Sequence, residues 1–366
     1  MTEGTQGLRR VGQTPLLVTP LGFGGGPLGD PRVPLSSAVD AVSAAWSGGV
    51  RFFDTAPFYG IGRSERRLGA ALAECAASEP FVLNTKVGRT LEPESVRDES
   101  RRTLSPGGDV RTPRDPRSGL RVQFDYSHAA VLRQHRDSLQ RLGLPRVNAL
   151  TIHDIDYGHH HPEQVEHALQ ELSRTGCGGA QALEGLRAEG LVQALGAGCN
   201  REMRNFESWA GGRHEDLIER LLDTVALDFL VIAGPYTLLD TLALRRVLPL
   251  LERRGMSAII ASPYAGGWLV NPEGIPYMYG DTPTHVRALT RRMQAVCHRH
   301  DVPLAAAALQ FPLAHPQVAA VIPGARSAAE AKAAQTWLQT PIPAALWQDL
   351  VAEGLLDPAA PVPSGA

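Results

Sequence analysis

The sequence predicts an α/β fold, a (β/α)8 TIM barrel formed as one domain over residues 1–366, with an N-terminal β-hairpin and a long insertion after strand 3. Three observations carry this. Eight short runs rich in apolar residues punctuate the chain, at 17–22, 50–54, 81–86, 147–152, 192–198, 227–232, 256–261 and 318–322. Stretches with helical apolar spacing lie between them. Each run hands over to a helix-length segment, which implies parallel pairing through helical crossovers, and eight such units close a barrel.

The elements follow in order. Residues 8–11 and 16–18 flank Gly12 and Gln13 and read as a hairpin that plugs one end of the barrel. After strand 1, Leu35, Val39, Val42 and Trp46 fall on one helical face, and after strand 2 so do Leu68, Ala71, Leu72 and Cys75. Residues 92–121 hold four Pro, three Gly, seven Arg and six acids, too polar for core and too long for an ordinary connection. They read either as a disordered insertion or as a substrate lid over the active face of the barrel. Segment 264–284 carries Tyr264, Trp268, Tyr277 and Tyr279 after strand 7, and Val286, Leu289, Met293, Val296 and His300 mark a further helix. A tail begins at about 355 and runs to 366.

Composition removes several function classes. With 36 Lys+Arg against 38 Asp+Glu and a net charge of -2, there is no electrostatic footprint for nucleic acid or anionic lipid. The four cysteines, Cys75, Cys177, Cys199 and Cys297, form no CxxC pair and have no histidine at ligand spacing. Neither a zinc site nor a disulfide framework is expected, and a reducing compartment is. The longest uncharged stretch, 302–325, is broken by Pro303, Pro312, Pro316 and Pro323, so no membrane span is expected. The first residues lack the apolar core of a signal peptide. These points lead to the expectation of a cytoplasmic protein.

Chemistry concentrates at strand ends. Asp54 closes strand 2, Tyr59 follows on a short loop bounded by Pro57 and Gly60, Lys86 closes strand 3 and His153 closes strand 4. A barrel gathers its active residues at this face. A phenol titrates near about 10, and a neighbouring ammonium stabilises the phenolate. The set therefore reads as a proton-transfer site, with Asp54 holding Lys86 and His153 orienting a substrate oxygen. The run His159-His160-His161 reads as a solvated loop, since three successive residues cannot all face one ion; no metal is expected. Gly24-Gly25-Gly26-Pro27-Leu28-Gly29 is spaced like a Rossmann fingerprint, but Pro27, Pro31 and Pro34 forbid the helix that motif requires. Its glycines could still let a ligand approach the backbone. Ile322-Pro323-Gly324-Ala325-Arg326-Ser327 leads into a helix with Ser327 and Glu330 as a capping box, offering an N-terminus that suits phosphate. Asn200 after strand 5 could hold a carboxamide or cap a helix.

These segments together, DTAPFYG, NTK, IHD and IPGARS, resemble the aldo-keto reductase family over residues from about 8 to 337. The insertion after Lys86-Val87-Gly88-Arg89, the pair His153-Asp154 and the stretch Ala233-Gly234-Pro235-Tyr236 are similar to its branch of D-threo-aldose (L-fucose) 1-dehydrogenases and pyridoxal 4-dehydrogenases. The resemblance implies Tyr59, Lys86, Asp54 and His153 as the catalytic four. It implies NAD or NADP held by Gly24, Gly25, Asn200, Ser262, Ile322, Gly324, Arg326, Ser327 and Glu330, and a substrate against Phe58 and Trp268. Where many members carry Tyr, Gln and a Glu-Asn pair, this chain has Ala261, Ala233 and Ala333-Ala334. The expected activity is oxidation of a sugar-like hemiacetal to a lactone. The alternatives are reduction of an aldehyde or ketone and a regulatory subunit without turnover. Glu330 would repel a 2′-phosphate, so NAD is the expected cofactor. The expected partner is a small carbonyl, sugar or hemiacetal compound; the oligomeric state is left open.

Overall fold

The computed structural model describes residues 7–75, 79–93, 95, 108–109, 112–113, 119–201 and 205–364. The strands in chain order are β1 (Arg9–Arg10), β2 (Leu17–Val18), β3 (Phe23–Gly24), β4 (Phe52–Asp54), β5 (Val82–Val87), β6 (Arg89–Pro93), β7 (Gly108–Asp109), β8 (Thr112–Pro113), β9 (Leu120–Phe124), β10 (Ala149–Ile152), β11 (Ala194–Asn200), β12 (Phe229–Ala233), β13 (Ser257–Ala261) and β14 (Val318–Ile322). Eight of them form one parallel sheet in the order β14-β13-β12-β11-β10-β5-β4-β3. Parallel bridges Leu21 to Val321 and Gly24 to Gly324 join its two edges, so the sheet closes as a (β/α)8 TIM barrel.

Side chains alternate across the barrel wall as the strand period demands. Phe52, Val82, Ala149, Ala194, Phe229, Ile259 and Ala320 fill its interior together with Val11, Leu16 and Val18 from the antiparallel β1–β2 hairpin. Phe53, Leu83, Leu150, Leu195, Leu230, Ile260 and Val321 face outward into the layer between strands and helices. The hairpin thus stoppers the bottom of the barrel with its apolar face.

Sequence and structure part at two places in this frame. The first strand was expected at 17–22, but Leu17 and Val18 pair with Arg10 and Arg9 instead, and the barrel strand begins at Phe23. Pro20 has no N–H to offer a ladder, and the Thr19 hydroxyl turns back onto the Leu21 carbonyl at 2.8 Å, which splits the run in two. On the helix Leu35–Ser47, Leu35 is exposed, and Ala38, Ala41, Val42, Ala45 and Trp46 form the buried face. The insertion leaves the barrel on an antiparallel ribbon, β6 paired with β9; most of 94–119 lies outside the described residues, and with it the choice between lid and disorder.

Candidate active site

The strand period that fills the barrel also stacks the polar residues above the core. Phe52 and Asp54 on β4, Val82, Asn84 and Lys86 on β5, and Ala149, Thr151 and His153 on and after β10 succeed one another two residues apart. Apolar side chains form the lowest layer. In the next, Thr151 Oγ1 donates to Asn84 Oδ1 at 3.1 Å and Asn84 Nδ2 donates to Asp54 Oδ2 at 2.7 Å. Above it, Lys86 Nζ donates to both Asp54 oxygens at 2.7 and 2.8 Å and to the Thr55 carbonyl at 2.9 Å.

Tyr59 reaches this group from the turn after β4. That turn needs Gly60, whose φ is +64°, and a Cβ there would lie 2.0 Å from the Gly29 carbonyl oxygen. A Cβ on Gly29 would in turn strike the Tyr59 carbonyl carbon at 2.5 Å. The glycine-rich stretch therefore seats the Tyr59 turn against the mouth of the barrel. Lys86 Nζ lies 4.9 Å from the Tyr59 ring centroid, and the Tyr59 and His153 rings meet edge to face at 5.9 Å. Phe58 closes the other side of His153 at 6.1 Å.

Burial and charge act against each other here. Burial disfavours the Lys86 ammonium, yet Asp54 and Tyr59, by charge and hydrogen bond, outweigh it and leave its pKa above the usual lysine range. His153 is driven well below the usual imidazole range, first by burial and then by Arg89 and Lys86, against the pull of Asp154. The site thus holds a charged lysine and a neutral imidazole side by side.

A cavity of about 680 Å³ opens over these residues. Asp54, Phe58, Tyr59, Lys86 and His153 line it together with Gly24, Asn200, Ser262, Ile322, Gly324, Arg326 and Glu330. Ser262 and Ala265 hold φ of +53° and +51°, values uncommon outside glycine. Tyr264 is buried on this wall, and its hydroxyl has no partner among the described residues. A cavity of this size, lined by Lys86 and Arg326 as well as by glycines, and with an orphaned hydroxyl at Tyr264, fits a dinucleotide. Asn200 Nδ2 is committed to Asp154 Oδ1 at 2.5 Å and to Asp156 Oδ2 at 3.2 Å, so its Oδ1 is the atom left to meet an amide N–H.

Other expected site residues sit elsewhere. Gly25 lies behind the wall, its N–H bonded to the Asp54 carbonyl at 2.7 Å, and a Cβ there would meet Asp54 O and Ser64 Oγ at 2.8 Å. Its lack of a side chain serves packing. Ser327 caps the helix Ala328–Gln339 by accepting from Glu330 N–H at 3.3 Å, while Glu330 Oε2 accepts from Arg326 N–H at 2.8 Å. Trp268 is not among the residues that line the cavity: it is 2% exposed and its indole N–H donates to Thr290 Oγ1 at 2.8 Å, as befits a buried aromatic with a polar handle. The histidine run is not a solvated loop either. His159 and His160 are buried, the first with Nδ1 2.8 Å from Asp156 Oδ1, the second with its ring centroid 4.0 Å from that of Phe124, the planes tilted by 51°. Asp154, Asp156 and His159 bring ligand-type atoms within 4.8 Å of one another, and their carboxylates are taken up by Arg89, Asn200 and His159.

Asn84, Arg89, Asp154 and Tyr264 were missed as site residues by sequence reasoning. Asn84 was findable, as the first of three successive polar residues, Asn84-Thr85-Lys86, in a buried strand. Arg89 and Asp154 carry no local signal, because their pairing joins segments 65 residues apart.

The sequence model described as "Aldo/keto reductase family" matches residues 20–352. A pyridoxal 4-dehydrogenase of Microbacterium luteolum is 38% identical over 95% of this chain and 97% of its own length. A D-threo-aldose 1-dehydrogenase of a Pseudomonas species is 34% identical over 93% and 95%, and an L-galactose dehydrogenase of Arabidopsis thaliana is 28% identical over 88% and 85%. Among solved structures, an aldo-keto reductase of Bacillus halodurans in its holo form superposes with a TM-score of 0.68 at 24% identity, covering 98% of both chains, a likeness of fold. Among the described residues, no helix is long and apolar enough to cross a membrane.

Proposed function

We propose, from the premise that this chain belongs to the aldo/keto reductase family and is a nicotinamide-dependent oxidoreductase, that it oxidises a sugar-like cyclic hemiacetal to a lactone and prefers NAD. The observation that carries the chemistry is the buried Lys86 ammonium, held by Asp54 on one side and facing Tyr59 on the other. When bound, the nicotinamide supplies the two-electron acceptor. This chain supplies the proton path: Tyr59, as phenolate, accepts the hydroxyl proton while Lys86 stabilises its charge and Asp54 keeps Lys86 in place. His153, uncharged, positions the reacting oxygen beside the Tyr59 hydroxyl, and Phe58 covers the substrate.

Asn200 Oδ1, Ser262 and the backbone at Gly24, Ile322 and Gly324 would hold the dinucleotide along the cavity wall, with Arg326 at the phosphate end. Glu330 stands at that same end with its carboxylate turned to the Arg326 backbone. A negative charge there opposes a further phosphate, which favours NAD over NADP.

The substrate class is supported by two relatives above 30% identity over more than nine-tenths of this chain, named as dehydrogenases of an aldose and of pyridoxal. Formation of reduced cofactor from L-fucose, D-arabinose, L-galactose and pyridoxal, measured by absorbance and set beside reduction of a model aldehyde, tests it. Oxidation of at least one of the four with higher kcat/KM than the aldehyde reaction is expected. Turnover of the aldehyde alone would replace this reading by that of a carbonyl reductase.

A further inference from the structure

Behind His153 lies a group of buried charges that the proton path above does not use. Arg89 opens β6 and is 3% exposed. Its guanidinium lies 3.9 Å from the Phe58 ring centroid and 5.1 Å from that of Phe124, which fixes its plane. Its Nη2 is 2.7 Å from Asp154 Oδ2, and that same oxygen is 3.2 Å from His153 Nε2. Asp154 is also the residue that follows His153 in the chain. Its φ of +55° is a left-handed conformation that costs an L-residue energy and calls for a compensating role. Asn200 holds the other oxygen, Oδ1.

A carboxylate this close to an imidazole in a buried site draws a proton onto the ring. Arg89 places an opposite charge on the same oxygen. The other groups facing the ring are Lys86 and Tyr59 on the cavity side and Phe58 above. His159 lies 4.0 Å from Asp154 on the far side, with Asp156 behind it. Burial, Arg89 and Lys86 all act against the imidazolium, and Asp154 alone among the near anions favours it. Without Arg89 that balance would tip.

We propose that Arg89 and Asp154 are positioning residues, a matched buried ion pair that clamps the His153 ring while leaving it uncharged, so that Tyr59 is the group that exchanges a proton with the substrate. The consequence for turnover rests on the redox reading above; the charge state of His153 does not.

Histidine Cε1 resonances followed by NMR across pH 5–8 test this, with His153→Gln identifying the signal. In the wild-type protein the His153 signal is expected to stay flat. In Arg89→Met it should titrate within that range, a rise of roughly 1–3 pH units, and in the double variant Arg89→Met/Asp154→Asn it should be flat again. The pH profile of kcat/KM should gain an ionisation in Arg89→Met and lose it in the double variant. A flat signal in Arg89→Met, or a double variant that titrates like the single one, overturns the proposal whether or not any sugar is oxidised. If Arg89→Met does not fold, Asp154→Asn decides: with the clamp gone, kcat should fall about tenfold or more at unchanged NAD affinity, and wild-type kcat would overturn the proposal.

Discussion

Lys86 is the residue on which the proton path turns, because an ammonium inside a barrel is stable only where its neighbours replace water. Three acceptors within 2.9 Å do so, and what remains of its field falls on Tyr59. Lys86→Met removes that cation. The phenolate then loses its stabilising charge, so the pH at which Tyr59 gives up its proton rises. The expected outcome is a loss in kcat/KM for oxidation on the order of 10²–10⁴-fold, with residual activity displaced to higher pH. A pH–rate profile of the variant checks this, and an unmoved acid limb would argue that Lys86 serves structure alone. The positions of Asp54, Lys86 and His153 were legible in the sequence because each stands at or beside the end of a strand, and that of Tyr59 because it follows Asp54 on a short turn. Trp268 was not, since an aromatic in a loop after a strand can face the cavity or the core, and only its bond to Thr290 on the helix Thr284–Arg299 decides.

Elements supply what single residues cannot, and the helix Ala328–Gln339 is the clearest case. Its first turn is closed by Ser327 and by Glu330, which reaches back to the Arg326 N–H, so Glu330 is a helix-stabilising group and, in the proposed cofactor site, the charge that sets NAD against NADP. Glu330→Arg should therefore do two things: weaken the first turn by about 0.5–2 kcal/mol and raise NADP affinity relative to NAD. Binding titrations of both cofactors with wild type and variant, alongside thermal melts, separate the effects; an unchanged NAD to NADP affinity ratio would remove Glu330 from cofactor choice. The helix Thr284–Arg299 offers a contrast. Trp268→Phe should cost roughly 0.5–1.5 kcal/mol for the lost hydrogen bond to Thr290, seen as a lowered denaturation midpoint, with KM for substrate unchanged. A clear rise in KM would return Trp268 to the substrate side. Seven of the eight barrel strands were legible as elements because each is a short run rich in apolar residues that leads into a helix-length segment. The first was not, because Pro20 and the hairpin share its residues between two sheets, and the Arg89 to Asp154 pair was not, because it forms only when the ribbon at β6 folds over the end of β10.

At the scale of the whole molecule, closure of the barrel is what turns eight separate strand ends into one site, and the hairpin packs Val11, Leu16 and Val18 against the interior at the opposite end. The same burial makes the protein acid-sensitive. His160 and His214 are held neutral by desolvation with pKa values lowered to about 4, and His153 is lowered in the same direction. An unfolded chain binds those protons near about pH 6.5, so between about 6.5 and 4 the unfolded state takes up more protons than the folded one and stability falls as pH falls. Thermal melts should show a steady decline in Tm from pH 7 to pH 5, and a flat Tm over that range would contradict the buried neutral histidines. The claim that joins all three scales is that the barrel delivers Tyr59, supported by Lys86 and Asp54, as the proton-exchanging group of an oxidoreductase. Tyr59→Phe tests it most directly, since it removes one oxygen and leaves the ring packed against His153. Single-turnover formation of reduced cofactor should fall by about 10²–10⁴-fold while the dissociation constant for NAD stays at the wild-type value; a variant that keeps more than about a tenth of the wild-type rate would contradict it.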